Sequence, residues 1–196
     1  QKAMEFAKTR KQGCAKIDNG RGVILDHPDV RRMLITMKSL TSAVRALCLD
    51  AALSLDLSKS SDKLVAEKED ARASFLIPIA KAFSTDIGCR VADLGIQVHG
   101  GMGYVEETGA AQVLRDVRVT AIYEGTNGIQ AIDLIGRKLS DSGKAANGLI
   151  DEIKITIRNC GDHEDLQIKE MGNRLSKSLV CMAVSYTHLR AHETSI

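Results

Sequence analysis

From Asp29 to Leu57 the chain has neither glycine nor proline, and apolar side chains return every three or four positions. The series is Val30, Met33, Leu34, Met37, Leu40, Val44, Leu47, Cys48, Ala51 and Leu55. That spacing predicts one amphipathic helix, roughly 43 Å long at 1.5 Å per residue. Pro28 suits its first position, which needs no amide hydrogen, and Asp29 suits the positive end of the helix dipole. After a link at 58–62, a second stripe runs through Leu64, Ala71, Phe75, Leu76, Ile79, Phe83, Ile87, Val91 and Leu94. Pro78 falls inside it and is expected to kink that helix. Two long helices joined so closely bury their stripes by packing antiparallel. The expected fold class is therefore all-α, an antiparallel helical bundle.

Composition narrows the function classes. Aromatics make up 3% of the 196 residues, Trp is absent and Pro occurs twice, which disfavours a strand-rich domain. A net charge of +2 argues against a dedicated nucleic-acid binder. A hydrophobic content of 44% argues against disorder. No apolar run approaches the ~20 residues that span a bilayer. The five cysteines (Cys14, Cys48, Cys89, Cys160 and Cys181) are odd in number and far apart, with no CxxC pair and no zinc-ligand spacing. They read as small, buried, reduced side chains of a cytoplasmic protein, and no metal site is expected. The chain opens at Gln1 directly in helix-like sequence, so it reads as a piece of something longer.

Other elements follow from local signals. Residues 1–12 read as the end of a helix and 13–22 as a loop. Gly95, Gly100, Gly101 and Gly103 are expected to end the second long helix and to let the backbone approach a ligand closely. Shorter helices are expected over Glu106–Asp116 and over Asn127–Leu139. The latter has Thr126 as N-cap and Ile129, Ile132, Ile135 and Leu139 facing inward. Leu149–Cys160 is again helical in period, and the stretch to Ala183 is weaker and charged. Ser185–Thr194 fits no element and resembles translated adaptor read-through, so 184–196 reads as a non-native tail.

The glycine-rich segment is not a dinucleotide fingerprint, because Glu106 stands where the third glycine would be and a helix precedes it. His99 by itself reads as a loop or core histidine. Glu124 is more informative. It sits among Ile122, Tyr123 and Gly125 just before a helix start. Apolar neighbours would desolvate it and favour its protonated form, as suits a base, while a helix N-terminus offers donors to a polar ligand. The residues alone favour the plainer alternative, a first-turn carboxylate that answers the helix dipole.

The run QVHGGMGYVEETGAAQVLRDVRVTAIYEGTNGIQ (97–130) resembles the signature of the acyl-CoA dehydrogenase family. The likeness reaches back through His27–Met33 to Arg10-Lys11-Gln12 and forward to Leu139. GTNGIQAIDLIGRKL (125–139) is similar to the branch that has an extra C-terminal domain and includes the 3-methylmercaptopropionyl-CoA dehydrogenases. The resemblance implies that 1–139 is the family's C-terminal four-helix domain, incomplete at its N-terminus, and that 140–183 begins a helical extension.

It further implies the chemistry. A glutamate takes the pro-R α-proton of an acyl-CoA and the β-hydride passes to FAD, leaving a trans-2-enoyl-CoA; Glu124 matches that base. The thioester oxygen is held by the glutamate's own N–H and by a flavin hydroxyl. Gly125 matches a substrate contact, and Thr126, Asn127 and Gly128 match flavin contacts. Arg10 and Gln12, with Gln97, Val98, His99, Gly100 and Gly101, match the stretches that hold the neighbouring subunit's FAD. Electron-transfer flavoprotein is the implied acceptor, and a homodimer or homotetramer the implied assembly. Arg115, Asp116 and Arg118 match a family motif that reads as structural ion pairing.

Three departures stand out. No Phe follows Gln12-Gly13-Cys14, the loop from Arg10 to His27 is long, and Gly128 replaces a frequent Gln or Glu. Nothing matches the family's β-domain or its CoA-holding residues, so the chain alone is expected to bind no stoichiometric FAD and to be inactive. Two alternatives remain: an acyl-CoA oxidase of the same superfamily, which would form peroxide without an added acceptor, and a non-catalytic helical oligomerisation module, which would leave Glu124 exposed in the assembly.

Overall fold

A computed structural model describes residues 1–13, 22–139 and 143–193. Most of the expected 13–22 loop, Cys14 included, lies outside the described residues. The helices are α1 (Lys2–Thr9), α2 (Pro28–Leu57), α3 (Lys63–His99), α4 (Gly101–Tyr104), α5 (Ala110–Arg118), α6 (Asn127–Asp133), α7 (Lys144–Gly161) and α8 (Leu166–Glu193). Among the described residues the only strand-like feature is an isolated antiparallel bridge between Lys11 and Val23. The all-α expectation holds. Contacts divide the chain into two units, 1–50 with 80–130 and 51–79 with 131–196.

In the first unit α2 starts at Pro28, as expected. The preceding turn is pinned by Asp26, 8% exposed, which accepts the Val23 N–H at 3.4 Å and pairs with Arg31 at 3.6 Å. Ala3 and Ala7 of α1, Met33 and Leu34 of α2 and Val98 of α3 meet in one apolar core with Ile24. Cys48 Sγ lies 3.4 Å from Ser84 Oγ, and a Cβ on Gly95 would lie 3.7 Å from Met37 Cε. Numbers that rise along α2 therefore fall along α3, the antiparallel pairing that the two stripes require.

The structure corrects the expected end of the second helix. Gly95 lies inside α3, which runs on to His99, and Gly100 turns the chain with φ +58°. Gly103 is small for a reason other than a ligand: a Cβ there would lie 2.5 Å from the Ile96 carbonyl oxygen. The helix expected over Glu106–Asp116 is also divided. Glu106–Thr108 is a 3-10 turn, Gly109 takes φ +70°, and α5 starts at Ala110.

In the second unit the Ser54 hydroxyl donates to Glu69 at 2.9 Å, and Arg72 and Lys68 of α3 pair with Glu152 of α7 at 3.1 and 3.8 Å. Helices α7 and α8 pack on each other so closely that a Cβ on Gly172 would lie 2.7 Å from Cys160 Cβ. Asp165 caps α8 by accepting the Gln167 N–H at 2.7 Å. The segment from Ser185, expected to fit no element, continues α8 as far as Glu193. The helix expected to reach Leu139 becomes a π-helical turn over Leu134–Lys138, followed by buried Leu139.

No helix among the described residues is long and apolar enough to cross a membrane. No group of three His, Cys, Asp or Glu among them could hold a metal ion. Cys48, Cys89, Cys160 and Cys181 are free thiols, and against the burial expected of them Cys48 and Cys181 are exposed and Cys89 and Cys160 half-buried, because they sit on helix faces that these units leave open.

Candidate active site

Glu124 occupies the turn between the 3-10 turn Val119–Ala121 and α6. Its φ is +54°, the one left-handed value at a non-glycine among the described residues, and Gly125 follows at +89°. A Cβ crowds the next carbonyl in that region, so the conformation persists only where surrounding contacts impose it, often at a ligand site.

Those contacts are explicit. Gln130 Nε2 donates to the Glu124 carbonyl at 3.2 Å, and Lys81 Nζ donates to the Gly125 carbonyl at 2.7 Å. Lys81 also donates to Asn127 Oδ1 at 2.9 Å, and the Thr85 hydroxyl lies 3.2 Å from the same atom. Asn127 Nδ2 donates to the Ala82 carbonyl at 3.2 Å and to Asp86 at 2.8 Å. An amide has two N–H groups and two lone pairs, so the Asn127 side chain is fully occupied by α3. Only its backbone is left for the cofactor contact expected of it.

Thr126 is the N-cap that the sequence predicts, its hydroxyl accepting the Ile129 N–H at 3.4 Å. Among the described residues neither the Glu124 carboxylate nor its N–H has a hydrogen-bond partner. Ile122 and Tyr123, expected to desolvate the carboxylate, are 56% and 51% exposed, so these residues do not enclose it. Ile129 and Ile132, expected to face inward, are 55% and 68% exposed. An apolar period marks a helix face; it does not say that this chain covers it.

A second cluster lies on the same unit. Arg10, Gln12, His27, Gln97, Val98, His99 and Gly100 line a groove of about 420 Å³. His27 Nε2–H donates to the Gln12 carbonyl at 3.0 Å, tying the two banks together. His99 is buried against Phe6, with ring centroids 4.6 Å apart, and its Nδ1–H donates to the Gly95 carbonyl at 2.7 Å. Val98 is 2% exposed. Both therefore hold the groove's shape, and the Gly100 N–H is spent on the Gln97 carbonyl at 3.1 Å, which leaves the Arg10 guanidinium and the Gln12 and Gln97 amides as donors among the lining residues. Such a donor set suits an anion with several oxygens.

A family model described as acyl-CoA dehydrogenase, C-terminal domain, matches residues 1–140. The chain belongs to the acyl-CoA dehydrogenase family. A 3-methylmercaptopropionyl-CoA dehydrogenase of Ruegeria pomeroyi is 38% identical over 194 residues, covering 97% of this chain and 33% of that protein. A butyryl-CoA dehydrogenase of Syntrophomonas wolfei is 39% identical over 142 residues, 70% of this chain and 23% of that protein. The chain thus spans a third or less of these relatives. A solved structure, the apo form of Bd2924, shares the fold with a TM-score of 0.60 and 19% identity, covering 99% of this chain and 38% of that one.

Within this acyl-CoA dehydrogenase domain the expected site residues fall into the two clusters: Glu124, Gly125, Thr126, Asn127 and Gly128 at the turn, and Arg10, Gln12 and Gln97–Gly100 at the groove. Gly101 opens α4 beside the groove, with nothing within 4 Å of a Cβ placed there. Arg115 donates to Glu106 at 2.7 Å, a hydrogen bond that pushes its pKa above the ordinary arginine range. Asp116 accepts from Gln112 at 2.6 Å. Sequence reasoning missed Lys81, Thr85, Asp86, Gln130 and His27. The turn's partners on α3 lie 41 to 46 residues from it, which leaves no local signal.

Proposed function

We propose that the protein of which this chain is part is a cytoplasmic, FAD-dependent acyl-CoA dehydrogenase that oxidises an acyl-CoA to the trans-2-enoyl-CoA, with Glu124 as its base. In this reading electron-transfer flavoprotein receives the electrons and the enzyme is a homodimer or homotetramer. Residues 1–139 are its C-terminal helical domain, 140–183 begin an extension and 184–196 are a non-native tail. The observation that carries the reading is that one strained turn presents both an unpartnered carboxylate and an unpartnered N–H.

That pair suits the first step of the reaction. A proton next to a thioester carbonyl is weakly acidic, because its removal puts negative charge on the thioester oxygen. The Glu124 carboxylate takes the proton while the Glu124 N–H donates to that oxygen as charge develops there. One such donor is worth ~10²–10³ in rate at comparable sites. Base and donor belong to one residue, so the turn sets their separation. Gly125 presents no side chain against the substrate.

The residues present fit FAD. The groove lined by Arg10, Gln12 and Gln97 offers a guanidinium and two amides to a pyrophosphate, and it serves the flavin of a neighbouring subunit. The backbone of Thr126–Gly128 lies beside the base to meet the subunit's own flavin. Bound FAD supplies the acceptor for the β-hydride.

The test uses the complete flavin-loaded enzyme, mixed anaerobically with acyl-CoA. The parent bleaches its flavin absorbance, and Glu124→Gln is expected to retain FAD but not to bleach. Bleaching of Glu124→Gln at the parental rate removes Glu124 from its role.

A further inference from the structure

Two side-chain donors converge on the backbone of the base turn, and they hold consecutive carbonyls. Gln130, on the helix that follows the turn, holds the carbonyl of Glu124 at 3.2 Å. Lys81 comes from the middle of α3, is half-buried, and holds the carbonyl of Gly125 at 2.7 Å. Its second bond, to Asn127 Oδ1 at 2.9 Å, goes to the side chain that Thr85, Asp86 and the Ala82 carbonyl also hold on α3. Both of these acceptors of the ammonium thus belong to the 124–127 segment. Fixing the two carbonyls fixes the peptide planes on either side of Gly125, and with them the positive φ of +89° at which Gly125 carries the chain from Glu124 into α6.

We propose that Lys81 is a positioning residue for the base. It acts through the Gly125 carbonyl to hold the Gly125 turn against α3, and so to keep Glu124, the residue before it, where carboxylate and N–H reach one substrate together. The inference rests on the reading of Glu124 as the base. An ammonium suits this role, because a charged donor binds a carbonyl more strongly than a neutral one and Lys can donate to both acceptors at once. Without it the peptide planes around Gly125 are free to turn and the carboxylate moves. Misplacement by about 1 Å costs on the order of 10²-fold in rate.

The experiment follows α-proton exchange by the complete FAD-loaded enzyme in D2O, with 3-thiabutyryl-CoA as the probe. Sulfur replaces the β-carbon of this thioester, so no hydride can leave. The α C–H bond breaks, the proton goes to the carboxylate and exchanges with solvent, and a deuteron returns to form C–D. Mass spectrometry of the recovered thioester reads the rate. Lys81→Met is expected to lower the saturated exchange rate about 10- to 100-fold, with flavin content unchanged and the half-saturating thioester concentration within about threefold of the parent. A role confined to stability would leave that saturated rate unchanged. Where Lys81→Met does not accumulate as folded flavoprotein, Lys81→Gln, which is uncharged and one atom shorter, is read by the same threshold.

A fall of less than about fivefold in the saturated rate, or an effect confined to half-saturation, overturns the role of Lys81. If Glu124→Gln has meanwhile lost exchange, the base assignment stands and only Lys81 is wrong. If Glu124→Gln exchanges at the parental rate, the base assignment fails and the inference falls with it.

Discussion

Glu124 holds a conformation that glycine would adopt without strain. Replacing it by glycine relieves the Cβ contact and lowers stability only through the extra freedom of the unfolded chain, each effect being about 1 kcal/mol. Glu124→Gly in the complete enzyme is therefore expected to melt within a few degrees of the parent while losing all α-proton exchange. Calorimetry and the exchange assay together check this. A fall of more than about 2 kcal/mol in stability would mean that the carboxylate makes a structural contact, and that its exposure is not preparation for a substrate. Gly103 shows the opposite case, in which a glycine in a functional-looking motif is required by the helix packed against it.

At the level of elements, the base turn is secured less by its own sequence than by α3. Asn127→Ala removes the side chain that joins the turn to Lys81, Thr85 and Asp86. It leaves half-buried partners unpaired, at a cost of ~1–3 kcal/mol. A lower melting temperature is expected with FAD retained, since the Asn127 side chain has no bond left to give the cofactor; loss of FAD without loss of stability would contradict this. Where an element depends on its own residues the sequence was readable: the start at Pro28, the end at Leu57 and the link at 58–62 all stand as expected. Gly95 misled because one glycine costs a helix only ~1 kcal/mol, which a 37-residue helix absorbs. Gly109 was overlooked because its break interrupts an otherwise helical period. Glu124 was legible through a distinctive motif, whereas Lys81 was hidden among the apolar stripe of α3, far in sequence from everything it holds.

For the whole molecule, the chain spans a third or less of the two dehydrogenases compared with it above, and it leaves Ile122, Tyr123 and Ile129 exposed around the base turn. Proton abstraction by a carboxylate needs water kept away from it, because solvent stabilises the charged base and weakens its proton affinity. In the proposed enzyme that exclusion comes from surfaces outside this chain, closing over the apolar residues beside Glu124. The most direct measurement is a crystal structure of the complete, FAD-loaded enzyme with 3-thiabutyryl-CoA bound. The expected result places a Glu124 carboxylate oxygen about 3–3.5 Å from the α-carbon, out of contact with bulk water, with the Glu124 N–H directed at the thioester oxygen. A Glu124 side chain lying in bulk solvent, remote from the thioester and the flavin ring, would contradict it.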